Sequence, residues 1–102
     1  MRISHQTKLV FQVFLDSPSD ESYGFELASA SGLPAGTIYP ILRRLEEAGF
    51  VTGRWEEIDE SEHGRRRRRY YRLTGEGRRK AREATAKEAP ALRQLVPGWS
   101  AR

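Results

Sequence analysis

Only Gly32, Leu33 and Pro34 separate two segments that both read as helices, and this short connection constrains the fold more than any other feature. The first segment, Tyr23 to Ser31, is short and contains Phe25, Leu27, Ala28 and Ala30. The second runs to Ala48, with Ile38, Ile41, Leu42, Leu45 and Ala48 gathered on one side at about 100° per residue. Gly32 stands where a glycine with positive φ closes a helix, and Gly49 closes the second segment. Two helices joined so tightly cannot lie side by side along their full length, so they must cross.

The flanking segments extend the pattern. From Ser4 to Asp16, Leu9, Val10, Val13 and Phe14 recur at helical spacing, with Ser4 as the expected N-cap. Asp16-Ser17-Pro18-Ser19-Asp20 then ends that helix. Beyond Gly49 the period changes to two: Val51, Gly53 and Trp55 alternate with Thr52, Arg54 and Glu56, and Tyr71 and Leu73 with Tyr70 and Arg72. Between these two strands Asp59 to Arg68 is polar throughout, which predicts a hairpin with a long, mobile tip. Thr74 caps a last helix, rich in alanine and charge, that Pro90 kinks or ends. The order helix, helix, helix, strand, strand, helix predicts a mainly α (α+β) winged helix-turn-helix: three helices, a two-stranded wing and a C-terminal helix. The expected divisions are 1–75 for the DNA-binding domain, 76–96 for a C-terminal helix that dimerises, and 97–102 for a flexible tail.

Charge separates along the chain. Up to Glu60 five Lys/Arg face ten acids, whereas from Ser61 onward thirteen face four, within a total of 102 residues and a net charge of +4. This asymmetry points to a polyanion met mainly by the second half. Arg65, Arg66, Arg67, Arg68 and Arg69 form a run beside Gly64 at the hairpin tip, where nothing in a small core could pair them all but a phosphate backbone could. Taken alone, the run also fits a solvated charge tract or a nuclear-localisation-like signal.

On the helix before it, Gly36, Tyr39, Pro40, Arg43 and Glu47 fall opposite the apolar stripe, with Thr37 and Arg44 on the flanks. In a helix-turn-helix the start of the second helix enters the major groove. Thr37, Tyr39, Pro40, Arg43 and Arg44 would then face DNA: arginine to guanine O6 and N7 or to phosphate, the hydroxyls to phosphate, with Gly36 admitting close backbone approach. Pro40 forfeits a helical hydrogen bond to Gly36, so either the helix starts near Thr37 or its first turn is distorted.

Other classes find little support. No run approaches the ~18 apolar residues of a membrane span, and the N-terminus shows no secretory signal. There is no cysteine, which removes disulfides and thiolate chemistry and fits a cytoplasmic protein. His5 and His63 are the only histidines, and no glycine-rich phosphate loop follows a strand, so an enzyme is not expected and no cofactor is implied. Glu56, Glu57, Asp59 and Glu60 lack the glycine and spacing of a calcium loop and read as solvated charge balancing the wing. A protein-binding adaptor, such as an antitoxin-like partner, is the alternative use of the same surface.

Several strings resemble the PadR-type transcriptional regulators. They are Tyr23-Gly24-Phe25-Glu26-Leu27; Gly36-Thr37-Ile38-Tyr39-Pro40-Ile41-Leu42-Arg43-Arg44-Leu45-Glu46; Gly49-Phe50-Val51; Arg54-Trp55-Glu56; and Arg69-Tyr70-Tyr71-Arg72-Leu73-Thr74 with Gly77. The resemblance implies a dimeric repressor on a palindromic operator, with the Tyr-Pro helix and the wing on double-stranded DNA and Tyr23 counted among the DNA-binding residues. It also implies a homodimer in which the C-terminal helix packs on the partner's N-terminal helix, here Leu9, Val13 and Phe14 with Ala84, Leu92 and Leu95. A small aromatic effector at that interface, with Trp99 as a candidate lining residue, is a further implied partner. The chain departs from the pattern in its compact turn before Gly36 and its short, alanine-rich last helix interrupted at Pro90.

Overall fold

A computed structural model describes residues 2–99. Helix α1 (His5–Asp16) begins where expected: the Ser4 hydroxyl accepts from the Thr7 amide, a cap worth about 1 kcal/mol. Strand β1 (Ser22–Tyr23) leads directly into α2 (Gly24–Ser31), where the Tyr23 amide donates to the Glu26 carboxylate at 3.1 Å. Gly32 closes α2 in the left-handed conformation, with φ of 75°. After the turn, α3 (Ala35–Glu47) buries Ile38, Ile41, Leu42 and Leu45, the stripe set by its period. These side chains pack with Val10, Phe11, Val13 and Phe14 of α1 and Leu27 of α2 around one core.

Strands β2 (Val51–Trp55) and β3 (Arg69–Leu73) pair antiparallel, from Val51 opposite Leu73 to Trp55 opposite Arg69. The sheet has three strands rather than two, in the order β1-β3-β2, because Ser22 and Tyr23 pair with Tyr71 and Tyr70. The hairpin tip is also more structured than expected. A single helical turn, α4 (Glu60–His63), is capped by the Asp59 carboxylate, which accepts from the amides of Ser61 (2.9 Å) and Glu62 (3.2 Å). An Asx cap satisfies backbone donors that a polar loop would otherwise leave to water.

Thr74 caps α5 (Gly75–Thr85) by accepting from the Gly77 amide, and Ala81 of this helix belongs to the core. The expected single C-terminal helix is broken at residues 86–88, and α6 (Ala89–Leu95) starts afresh. Pro90 therefore opens a helix rather than ending one, since a first-turn residue has no helical acceptor for an amide hydrogen. The break turns α6 back onto α1, where Leu92 is buried and two ion pairs hold it: Lys8–Glu88 at 2.8 Å and Arg93–Asp16 at 2.9 Å.

Leu9, Val13, Phe14 and Leu92 are thus buried within the single chain, Ala84 is half-buried, and Leu95 remains 60% exposed. The first residues of the expected loose tail are tied down as well. The Gly98 amide donates to the Ala30 carbonyl (2.8 Å) and the Trp99 indole to the Val13 carbonyl (2.9 Å), which makes Trp99 a local packing residue. Ser100, Ala101 and Arg102 lie outside the described residues. No helix among the described residues is long and apolar enough to cross a membrane.

Candidate nucleic-acid interface

The start of α3 resolves the question posed by Pro40. The helix begins at Ala35, two residues before Thr37, and the Thr37 and Ile38 amides both donate to the Pro34 carbonyl at 2.9 Å. That shared acceptor tightens the first turn, and Pro40 sits inside the helix. Its missing amide leaves the Gly36 carbonyl without a helical donor on the exposed side, where glycine offers no Cβ to shield it. Tyr39, Arg43 and Arg44 are exposed, while Thr37 and Pro40 are half-buried. Neither Arg43 nor Arg44 forms an ion pair among the described residues.

Tyr39 leans across to α2. A methyl group at Gly24 would stand 2.6 Å from its Cε1, so the glycine is what allows the ring to lie against the start of α2. Tyr23, Gly24, Phe25, Tyr39, Trp55 and three of the wing arginines, Arg67, Arg68 and Arg69, thereby border one groove between α3 and the hairpin.

The five arginines are not equivalent. Arg65 is bidentate to Glu56, with contacts of 2.7 and 3.1 Å, and Glu56 also accepts from the Arg68 amide at 3.2 Å. The Arg65 guanidinium, followed by the Arg68 amide, holds the Glu56 carboxyl down at about 2. Arg69 reaches Glu46 on α3 at 2.7 Å, and its guanidinium lies 5.4 Å from the Trp55 ring centre and 5.8 Å from that of Tyr71. Gly53 leaves the space it occupies, since a Cβ there would come within 2.9 Å of that guanidinium. Arg69 is therefore a clasp between the wing and α3. Arg67 lies over Trp55 (5.5 Å) and Arg68 over Tyr23 (4.2 Å), both held by aromatic faces alone. Arg66, Arg67 and Arg68 form no ion pair among the described residues.

The acidic residues before the run are thus specific partners rather than diffuse solvated charge: Glu56 holds Arg65, and Glu60 accepts from the Arg67 amide at 2.7 Å. Sequence reasoning also missed the Arg54–Glu21 pair, bidentate at 2.7 and 2.8 Å, which ties β2 to the segment before β1. The hairpin register carries the signal for one of these contacts, because equal strand lengths place Arg69 opposite Trp55. Nothing local in the sequence marks Glu46 as its ion-pair partner.

Comparison with known proteins agrees with this geometry. The model of the transcriptional regulator PadR-like family matches residues 18–83. A PadR family transcriptional regulator from Eggerthella lenta is 32% identical, with a TM-score of 0.62 over 86% of this chain and 78% of its own. A PadR family transcription regulator from Clostridium difficile R20291 is 25% identical, with a TM-score of 0.65 over 90% of this chain and 94% of its own. NadR, solved in complex with 4-hydroxyphenylacetate, shares the fold at 24% identity and a TM-score of 0.65; this chain covers 86% of itself there but spans only 56% of the NadR chain. No curated protein sequence matches. The fold is the winged helix of these regulators, and family members are transcription regulators rather than enzymes. With its helix-turn-helix, its wing and a family match across both, the chain belongs to the PadR-like family of transcriptional regulators.

Proposed function

We propose that this regulator is a sequence-specific DNA-binding repressor that meets a palindromic operator as a homodimer. The observation that carries this reading is the pairing state of the arginines: among the described residues Arg43 and Arg44 on α3, and Arg66, Arg67 and Arg68 on the wing, form no ion pair, and Arg67 and Arg68 border the groove that Tyr39 lines from α3. Thr37, Tyr39, Pro40 and Arg43 enter the major groove, where a bidentate Arg–guanine contact discriminates by about 1–3 kcal/mol. Gly36, Arg44 and Tyr23 approach the backbone beside them. Arg66, Arg67 and Arg68 take phosphates and supply affinity with little sequence preference. Arg65 and Arg69 serve the same surface indirectly, by fixing the wing's shape and its angle to α3.

Residues 1–75 form the DNA-binding part in this reading, and 76–96 the part that joins two copies. Leu95 and Ala84 are available to a second copy as the chain stands. Leu9, Val13, Phe14 and Leu92 reach one only if α6 leaves its own α1 for the partner's. Footprinting on the region upstream of the chain's own gene, with size-exclusion chromatography alongside, tests the whole reading. Two protected half-sites one helical turn or a multiple apart are expected. Equal affinity for upstream and random duplex would contradict it, and a stoichiometric protein partner indifferent to the arginine run would favour an adaptor.

A further inference from the structure

One row of side chains crosses the sheet on a single face. Tyr23 of β1 stands opposite Tyr70 of β3, and Tyr70 opposite Arg54 of β2. Cross-strand partners of this kind share a face and lie within reach of each other. The Tyr23 and Tyr70 rings meet edge to face with centres 5.6 Å apart, and the Arg54 guanidinium lies 5.1 Å from the Tyr70 ring centre. Glu21 holds that guanidinium by two hydrogen bonds, which closes one end of the row. At the other end stands Arg68, 4.2 Å from the Tyr23 ring centre, the shortest of the five such contacts among the described residues. Its backbone is fixed as well: the Arg68 amide donates to the Glu56 carboxylate at 3.2 Å, and its carbonyl accepts from the Glu56 amide at 2.8 Å. Arg68 is half-buried, whereas Arg66 and Arg67 are exposed.

We infer that Tyr23 is a positioning residue for Arg68, serving DNA through the face of its ring and not through its hydroxyl. A guanidinium resting on a ring uses its flat face and keeps its N–H donors, whereas Arg65 and Arg69 spend theirs on carboxylates. An arginine gives up rotamer freedom when a ligand immobilises it. Arg68 has given up much of that freedom before DNA arrives, so its phosphate contact costs less than one from Arg66, which projects into solvent. Tyr23 is also the N-cap of α2, its amide donating to Glu26, so the ring belongs to the helix-turn-helix and registers a wing charge against it. The role in DNA binding rests on the functional reading above; the contact between ring and guanidinium does not.

The test pairs NMR of the free protein with a double-mutant cycle in DNA binding. In the unmodified chain the Arg68 δ-methylene protons, lying over the ring, should resonate upfield of those of Arg66; equal shifts would overturn the contact. Tyr23→Leu, shown to be folded by circular dichroism, should bind a duplex from the chain's own upstream region and a random duplex about two- to tenfold more weakly. The salt slope should stay as it was, because the charge remains. Tyr23→Phe, which keeps the ring and drops the hydroxyl, should restore both affinities. In the Arg68→Gln background, Tyr23→Leu should cost nothing further. A Tyr23→Phe chain as weak as Tyr23→Leu would overturn the proposal in favour of a hydroxyl contact with DNA. An undiminished loss in the Arg68→Gln background would overturn it in favour of a ring contact. If Tyr23→Leu does not fold, the NMR comparison and the Tyr23→Phe affinity decide between the same outcomes. A chain that follows the expected pattern with equal affinity for both duplexes would sink the repressor reading and leave the role of Tyr23 standing.

Discussion

On α3 the arginines stand apart: Arg43 and Arg44 project from a helix whose opposite face is packed into the core, and neither meets a carboxylate among the described residues. On the wing, five consecutive arginines divide by role. Arg65 and Arg69 are bound to Glu56 and Glu46, Arg67 and Arg68 lie on aromatic rings, and Arg66 projects into solvent. A rigid helix can present a charge at a fixed place without help. A two-stranded extension has no core of its own, so part of its charge is used to hold its shape. A run of like charges is therefore not a count of ligand contacts.

The largest effect should follow from removing the unpaired wing charges. In Arg66→Gln/Arg67→Gln/Arg68→Gln, the slope of log affinity against log salt should fall by about 2.7 per protomer, three contacts at about 0.9 each. Each lost counterion release is worth roughly fivefold at 0.15 M salt, so affinity drops about a hundredfold for each protomer bound, on operator and random duplex alike. Arg43→Ala comes next. It should narrow the ratio between operator and random duplex by about 1–3 kcal/mol, measured by competition binding. If instead the wing variant changes the ratio and Arg43→Ala does not, the two regions have exchanged roles.

The clasp gives a smaller effect of a different kind. Arg69 and Glu46 are partly exposed, at 27% and 33%, so losing their pair in Glu46→Gln costs about 0.2–1 kcal/mol, a shift of a few degrees in melting temperature. Operator affinity should also weaken, while the salt slope stays as it was, since Arg69 releases no counterion. A slope reduced by about one would show that Arg69 reaches phosphate after all.

The smallest effect is in pH. Glu56 is held below its ordinary range, so its pair with Arg65 contributes fully above about 4.5, the usual glutamate value, and the contribution is lost as pH falls through about 2. Carboxyl NMR should show Glu56 titrating near 2, and Arg65→Gln should return it toward 4.5. A midpoint near 4.5 in the unmodified chain would mean the wing pair is not formed in solution.

Much of this fold was legible because the signals are local. Ser4, Gly32 and Thr74 mark helix ends through hydrogen bonds or dihedrals within a few residues of themselves, and the buried face of α3 follows from its own period. What escaped reading depends on distance along the chain. Two residues, Ser22 and Tyr23, are too few to show alternation, so β1 emerges only once Tyr70 and Tyr71 are in place to pair with it. The break before α6 is settled by Asp16 and Lys8, some 80 residues away, rather than by Pro90 itself. The candidate site divides the same way: the exposed residues of α3 were readable from periodicity, whereas the pairing of Arg69 with Glu46 spans 23 residues and two kinds of secondary structure.

The most direct test measures salt dependence and the operator-to-random ratio together, for the unmodified protein, the triple wing variant and Arg43→Ala. The division of labour predicts a shallower slope with an unchanged ratio for the wing variant, and a narrowed ratio for Arg43→Ala at a slope lowered by at most about one. An unchanged slope in the wing variant would contradict it, because the three arginines left without carboxylate partners would then not be the ones that meet DNA.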